Sequence, residues 1–332
     1  MRFDRGFALR AGIGIAISVG AIWILLRSVD VGAAVEVLRH ANLAAVGLMV
    51  VTVLVDVGAR GARWRALLAP IRPLPYPHVL GYTYVGYLAN NVLPARLGEL
   101  VRSHALGEGE GISRTTVLGT VVVERIVDTL IVVGVAAVAV VLLDVGGVVS
   151  TAVVLGAGFV GVLLVGLALA VTSHRLPGAQ RVTALAERVP KALELARRLR
   201  DGLAVVGRPS AVGAAVLLSI LAWSASIATF VIAGAAVGIT LSPVQGALLS
   251  SGVALATIVP SGPGYLGTFE LTAVGIASQY GVDTNAAFAL ALLAHAMILL
   301  VTSVGGAVAA LRLGVGLGTG SGTDATEGAA RS

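Results

Sequence analysis

Several ionisable side chains of this sequence lie inside long apolar stretches. Glu124, Arg125 and Asp128 fall in Glu124-Arg125-Ile126-Val127-Asp128, near the start of an apolar run at 117–143. Each such charge costs roughly 2.5–3.5 kcal/mol at the centre of a membrane helix, so it marks a candidate functional position. Glu124 and Asp128 are four residues apart and share a helix face, while Arg125 and Asp128 are three apart and can pair. The cluster reads either as an internal ion-pair set that fixes helix packing or as a binding site. The excess of carboxylates over arginine favours the second. Arg96 and Glu99 flank a turn. The Arg96 guanidinium suits bidentate contact with phosphate, or it snorkels at the membrane interface. Glu270 has no basic neighbour in sequence, so it needs a partner from elsewhere in the fold, a proton, or a cationic group of a substrate. His295, mid-run, reads as a titrating group or as a buried hydrogen-bonded histidine. Asp56 and Arg60, four apart, read as a structural pair.

Two breaks in the apolar pattern carry most of these residues. The first is Asn90-Asn91-Val92-Leu93-Pro94-Ala95-Arg96-Leu97-Gly98-Glu99, where Asn90 and Asn91 can cap or line the break. The second is Val259-Pro260-Ser261-Gly262-Pro263-Gly264-Tyr265-Leu266-Gly267-Thr268-Phe269-Glu270. Both read proline, a turn, Leu-Gly, then a carboxylate. Interrupted helices at corresponding points of two halves are the best sequence pointer to a transport site. Gly262, Gly264 and Gly267 also match G-x-G-x-x-G, but the dinucleotide fingerprint requires a preceding strand and an acidic residue about 20 positions on. Here the glycines serve a tight turn.

The elements that must position these groups are membrane helices. The chain is 57% apolar and 12% charged, with a mean hydropathy of +0.96, against about a quarter charged residues in soluble chains. Runs at 8–26, 43–57, 117–143, 148–171, 212–237 and 286–311 approach or exceed the ~20 residues a bilayer core requires. The expected fold is therefore an all-α polytopic membrane protein with about six full spans. The shorter runs 79–93 and 244–259 each end in a break and read as re-entrant or discontinuous helical hairpins. Irregular backbone survives at membrane depth only inside the bundle or against a water-filled cavity.

Arginine and lysine in short loops set orientation. The segments 60–72 and 174–208 are rich in them and are expected to be cytoplasmic, as are both termini. The net charge of +6 is then a topology signal, and no nucleic-acid partner is expected. In this orientation one hairpin, about 78–104, dips in from the cytoplasmic side and the other, about 242–280, from outside. Repeat one, about 42–143, and repeat two, about 209–311, form an inverted pair. Residues 1–313 make a single transmembrane domain, with an amphipathic cytoplasmic connector at 174–208. The Gly/Ser/Thr-rich segment 314–332 reads as a disordered tail. Arg2, Arg5 and Arg10 precede an apolar run without a small-residue cleavage pattern, so the first run reads as an uncleaved anchor. The chain has no cysteine, its histidines lack ligand spacing, and no metal or cofactor is expected.

Three segments in order resemble a known family: Asn90-Asn91-x-Leu93-Pro94-x-Arg96-x-Gly98-Glu99-x-x-Arg102, Glu124-Arg125-x-x-Asp128 and Pro263-Gly264-x-x-Gly267-x-x-Glu270. They are similar to the signature of the lysylphosphatidylglycerol synthase transmembrane-domain family, also called flippase-like domain proteins. The resemblance implies an integral membrane protein linked to lipid translocation, with re-entrant helices. It carries no synthase activity, because that belongs to a soluble aminoacyl-transfer domain.

The expected function is a flippase or transporter of the cytoplasmic membrane, moving a phospholipid or polyprenyl-phosphate-linked headgroup, and not an enzyme. Arg96 and Arg125 would hold phosphate; Glu99, Glu124, Asp128 and Glu270 would balance them or meet cationic groups. Two alternatives stand beside it. One is a polyprenyl-phosphate-dependent membrane glycosyltransferase using Asp30 and Glu36 of the first outer loop. The other is a non-catalytic membrane partner of a separately encoded lipid or glycan synthase.

Overall fold

A computed structural model describes residues 5–93, 97–147 and 208–315, with a few positions between 150 and 161. Its described elements are helices α1 (Arg5–Ser28), α2 (Val31–Arg39), α3 (Leu43–Leu68), α4 (Tyr76–Val92), α5 (Gly98–Gly109), α6 (Arg114–Leu142), α7 (Pro209–Ala236), α8 (Pro243–Ala256), α9 (Thr268–Ala277) and α10 (Thr284–Leu313), with short 3-10 turns at Pro263–Tyr265 and Ser278–Tyr280. The described part is all-α. The 18-residue stretch Ala11–Ser28 of α1, and α3, α6, α7 and α10 at 26 to 30 residues, are long and apolar enough to cross a membrane. The chain is a multi-pass membrane protein. The expected span at 148–171 lies mostly outside the described residues, as do the 174–208 connector apart from Arg208, the tail beyond 315, and Arg96.

One boundary differs from expectation in a way that matters. The second span does not stop at Val57; α3 continues to Leu68. Hydropathy falls after Val57 because arginines enter the sequence, yet Arg60 and Arg63 are buried inside the bundle. They are not loop charges, and the cytoplasmic assignment of 60–72 loses their support. Arg65 is also helical; its Nε donates to the carbonyl of Leu74 at 2.9 Å and ties the end of α3 to the following turn.

Lipid tails are as apolar as leucine, so small residues and interhelical hydrogen bonds hold such a bundle together. α3 packs along α7, whose inner face carries Ala211, Ala215, Ala222 and Ala225, all buried. The Thr52 and Thr229 hydroxyls meet across this seam at 2.8 Å. α10 packs against α4 in the same manner: a methyl group on Gly306 would lie 2.5 Å from Leu88 Cβ and 2.7 Å from the Tyr84 carbonyl.

The two breaks separate pairs of short helices. α4 and α5, of 17 and 12 residues, flank the first; α8 and α9, of 14 and 10 residues, flank the second. Each pair folds back on itself, and the breaks abut. Gly264, held at φ +62°, sits where an added Cβ would be 3.6 Å from the Asn91 carbonyl. Its left-handed conformation favours glycine. The sequence signals of both halves therefore converge on one point of the bundle.

Candidate functional site

A cavity of 330 Å³ opens where the breaks meet α3, α6 and α7. Its walls are apolar at Val132, Phe230, Val253 and Leu299 and charged at Arg60, Arg102, Glu124, Arg125 and Asp128. The charged part is organised around Arg63, which is wholly buried behind it. The Arg63 fork donates to both Asp128 oxygens, at 2.5 and 3.0 Å, and to Ser219 Oγ at 2.8 Å. Its Nη2 also lies 3.0 Å from Glu124 Oε1.

Glu124 Oε1 is shared further by Arg102 Nη2 at 2.8 Å and Arg125 Nη2 at 2.7 Å. Asp128 Oδ2 adds Arg125 at 3.3 Å and Arg60 at 3.5 Å, and the Trp223 indole donates to Oδ1 at 3.1 Å. Arg60 closes the set by donating from Nε to Asp56 at 2.8 Å. Two guanidiniums stack on rings, Arg60 at 4.8 Å over Trp223 and Arg102 at 4.5 Å over Trp64. Such contacts gain strength away from water.

The predicted residues reach the site in different roles. Glu124, Arg125 and Asp128 come together as their spacing on α6 requires. Arg125 differs from the rest because its side chain is two-fifths exposed. Among the described residues its Nη1 lies 3.8 Å from Glu99, beyond hydrogen-bond range. Glu99 also lines the cavity. Glu124 Oε2 is buried without a hydrogen-bond partner among the described residues. The site thus keeps spare donors on Arg125 and a spare acceptor on Glu124.

Asn90 and Asn91 line the cavity and staple the first break. Asn90 Oδ1 accepts from the Gly98 amide at 2.7 Å, closing α5 onto α4. Asn91 Nδ2 donates to Thr302 and Ser303 of α10, both at 2.9 Å.

Glu270 stands one layer behind the cavity wall. Its Oε2 accepts from the Gly267 amide at 2.7 Å, capping α9. Its Oε1 meets His295 Nδ1 at 2.6 Å. His295 lines the cavity and stacks on Phe269 with ring centroids 4.0 Å apart. Glu270 thus finds its partner on α10, and among the described residues no contact brings it to the arginine cluster.

Arg60, Arg63 and Arg102 belong to the site although none was a site candidate from sequence. A signal existed for two of them. Asp56, Arg60 and Arg63 recur at helical spacing and share one face if α3 continues past Val57. Asp30 and Glu36, named only under the glycosyltransferase alternative, make local contacts. Asp30 caps α2 by accepting from the Ala33 amide at 3.1 Å. Glu36 pairs with Arg39 at 3.2 Å and His40 at 3.1 Å on the surface.

The arrangement presents a part-exposed guanidinium, Arg125, beside a part-exposed carboxylate, Glu99, chemistry suited to an anionic group next to a hydrogen-bond donor. Among the described residues no cluster of three or more His, Asp or Glu side chains is placed to hold a metal ion.

Among known proteins, glycosyltransferase AglD of Haloferax volcanii is 29% identical over 342 aligned positions, covering 91% of this chain and 54% of that protein. The chain spans about half the length of the curated relative it matches. This likeness overturns the expectation that the chain is not an enzyme. That expectation rested on the lack of a soluble aminoacyl-transfer domain, whereas the curated relative is named a glycosyltransferase. A family model described as the lysylphosphatidylglycerol synthase TM region matches residues 12–306, and the chain belongs to that family.

Proposed function

We propose that the chamber receives the phosphate-bearing headgroup of a membrane lipid, a phospholipid or a polyprenyl-phosphate-linked glycan, and carries it across the cytoplasmic membrane in the service of lipid-linked glycosyl transfer. The observation that carries this reading is Arg125. It is the most exposed member of a charge cluster whose other members are largely buried, and it faces a cavity at the junction of two helix breaks. Cargo identity draws on the family and on the glycosyltransferase likeness. Alternating access would come from two inverted repeats, 42–143 and 209–311, rocking about the junction, with both chain ends on the cytoplasmic side.

Transfer of a headgroup-labelled polyprenyl phosphate between leaflets of reconstituted vesicles tests the proposal. A charge-assisted contact is worth roughly 1.5–3 kcal/mol, so Arg125→Gln is expected to weaken headgroup binding about 10- to 100-fold. Arg125→Lys restores charge without the fork and is expected to recover only part of it. Wild-type transfer and binding in both variants would refute the site.

A second reading, glycosyl transfer from a polyprenyl-phosphate carrier within the same chamber, is favoured by the relative's name. The two separate by product: sugar covalently moved to an acceptor supports the second, and intact carrier in the opposite leaflet supports the first.

A further inference from the structure

The second break has two sides. On one, Leu255, Ile258 and Phe269 line the charged chamber. On the other, Ala256, Val259 and Thr268 line a separate cavity of 340 Å³, closed opposite by Ile17, Ala21 and Ile24 of α1. The wall between the two cavities is only the thickness of the break.

α1 is latched to that wall at one place. The Gly262 amide donates to Ser18 Oγ at 2.9 Å in a buried contact. Gly14 lets the helix approach so closely that a Cβ there would lie 2.7 Å from the Ser261 carbonyl. Gly267, at φ +85°, faces the Ser18 carbonyl, which an added Cβ would approach to 2.8 Å. Away from the latch α1 turns apolar side chains outward, with Val19 60% and Trp23 55% exposed. In a spanning helix this face meets hydrocarbon. The second cavity therefore lies at membrane depth, between a lipid-facing helix and the rim of a chamber built for a polar headgroup.

We infer that this groove holds the hydrocarbon chain of the same lipid phosphate whose headgroup occupies the chamber. The lipid straddles the second break, its polar end on the Arg125 side and its tail between α1 and the rim. Latching by Ser18 at the end of the groove fixes the rim while the tail lies beside it. The inference rests on the headgroup reading above. It adds a subsite that selects for chain as well as charge.

Full-length protein in vesicles of phosphatidylethanolamine and phosphatidylglycerol is photolysed with a polyprenyl phosphate carrying a diazirine near the free end of its tail, and adducts are mapped by mass spectrometry. Adducts are expected on Ile17, Ala21 and Ala256, displaced by excess unlabelled polyprenyl phosphate but not by more phosphatidylethanolamine. Adducts spread over Val19, Trp23 and other outward residues, undisplaced, mean bulk lipid only and overturn the inference. In parallel, Ala21→Phe fills the groove. It is expected to lower affinity for the long-chain phosphate at least tenfold and to leave a one-isoprene phosphate ester bound as in wild type. Equal long-chain affinity in the two proteins also overturns it. If the short ester binds neither protein while the displaceable adducts persist, the headgroup reading fails and the tail groove stands. The wild-type photolysis decides the matter should Ala21→Phe fail to fold.

Discussion

Arg63 is the residue whose loss separates a structural frame from a binding surface. Arg63→Met keeps the length and removes the cation. It abolishes four contacts: two to Asp128, one to Glu124 and one to Ser219. Breaking a buried pair by deleting one partner costs roughly 3–5 kcal/mol. Here neither carboxylate is orphaned. Asp128 retains Arg60, Arg125 and the Trp223 indole, and Glu124 retains Arg102 and Arg125. The cost belongs at the lower end, about 3 kcal/mol, most of it from one uncompensated negative charge in a cluster where Arg60, Arg63, Arg102 and Arg125 balance Asp56, Glu99, Glu124 and Asp128. Asp128→Asn added to Arg63→Met restores that balance. The double variant is then expected to be about 2 kcal/mol more stable than the sum of the singles predicts, within the range for contacting residues. Reversible unfolding in mixed micelles by SDS titration, on wild type, both singles and the double, reads all four corners. If Arg63→Met costs under about 1 kcal/mol, or the cycle is additive, then water already reaches Arg63. The buried-cluster description, and with it the distinction given to Arg125, would be wrong.

Two further outcomes follow from the first break. At Gly98 an added methyl would collide with the Gly86 carbonyl and lie 2.6 Å from Asn90 Oδ1. Gly98→Ala is therefore expected to push α5 off α4 at an overpacking cost of ~1–3 kcal/mol, seen in the same titration, and to slow lipid transfer; an unchanged variant would contradict the close approach. Asn91→Leu removes two interhelical bonds to α10. At ~0.6 kcal/mol each in a membrane interior, it is expected to lower stability by about 1 kcal/mol, and a loss above 3 kcal/mol would show that Asn91 does more than anchor the break.

What could be read in advance follows from which physical signals are local. Both breaks announce themselves by proline and glycine in apolar sequence, and the α6 charges by their cost and spacing. Partners at long range were not legible. Glu270 required His295 from 25 residues away, and Asp128 required Arg63 from 65. The error at Arg60 and Arg63 has a definite cause. Arginine in a short polar stretch is ambiguous between a loop facing water and a helix face turned inward, and hydropathy averages over the whole circumference. Only the angular spacing of Asp56, Arg60 and Arg63 distinguishes the two. Asn90 and Asn91 were placed at the break by sequence, but which of their atoms staple and which face the cavity depends on the angle at which α10 crosses.

The distribution of charges among the helices bears on how the chain enters the bilayer. α6 carries Arg125 beside Glu124 and Asp128, and α3 carries Arg60 four residues after Asp56, so each helix brings part of its own neutralisation to the translocon. Arg63 and Arg102 are paired instead with carboxylates on α6, synthesised after both. Both pairings therefore form only once α6 has emerged, and they tie α3 and α5 to it together. The cluster is completed only by α7, which adds Ser219 to Arg63 and the Trp223 indole to Asp128.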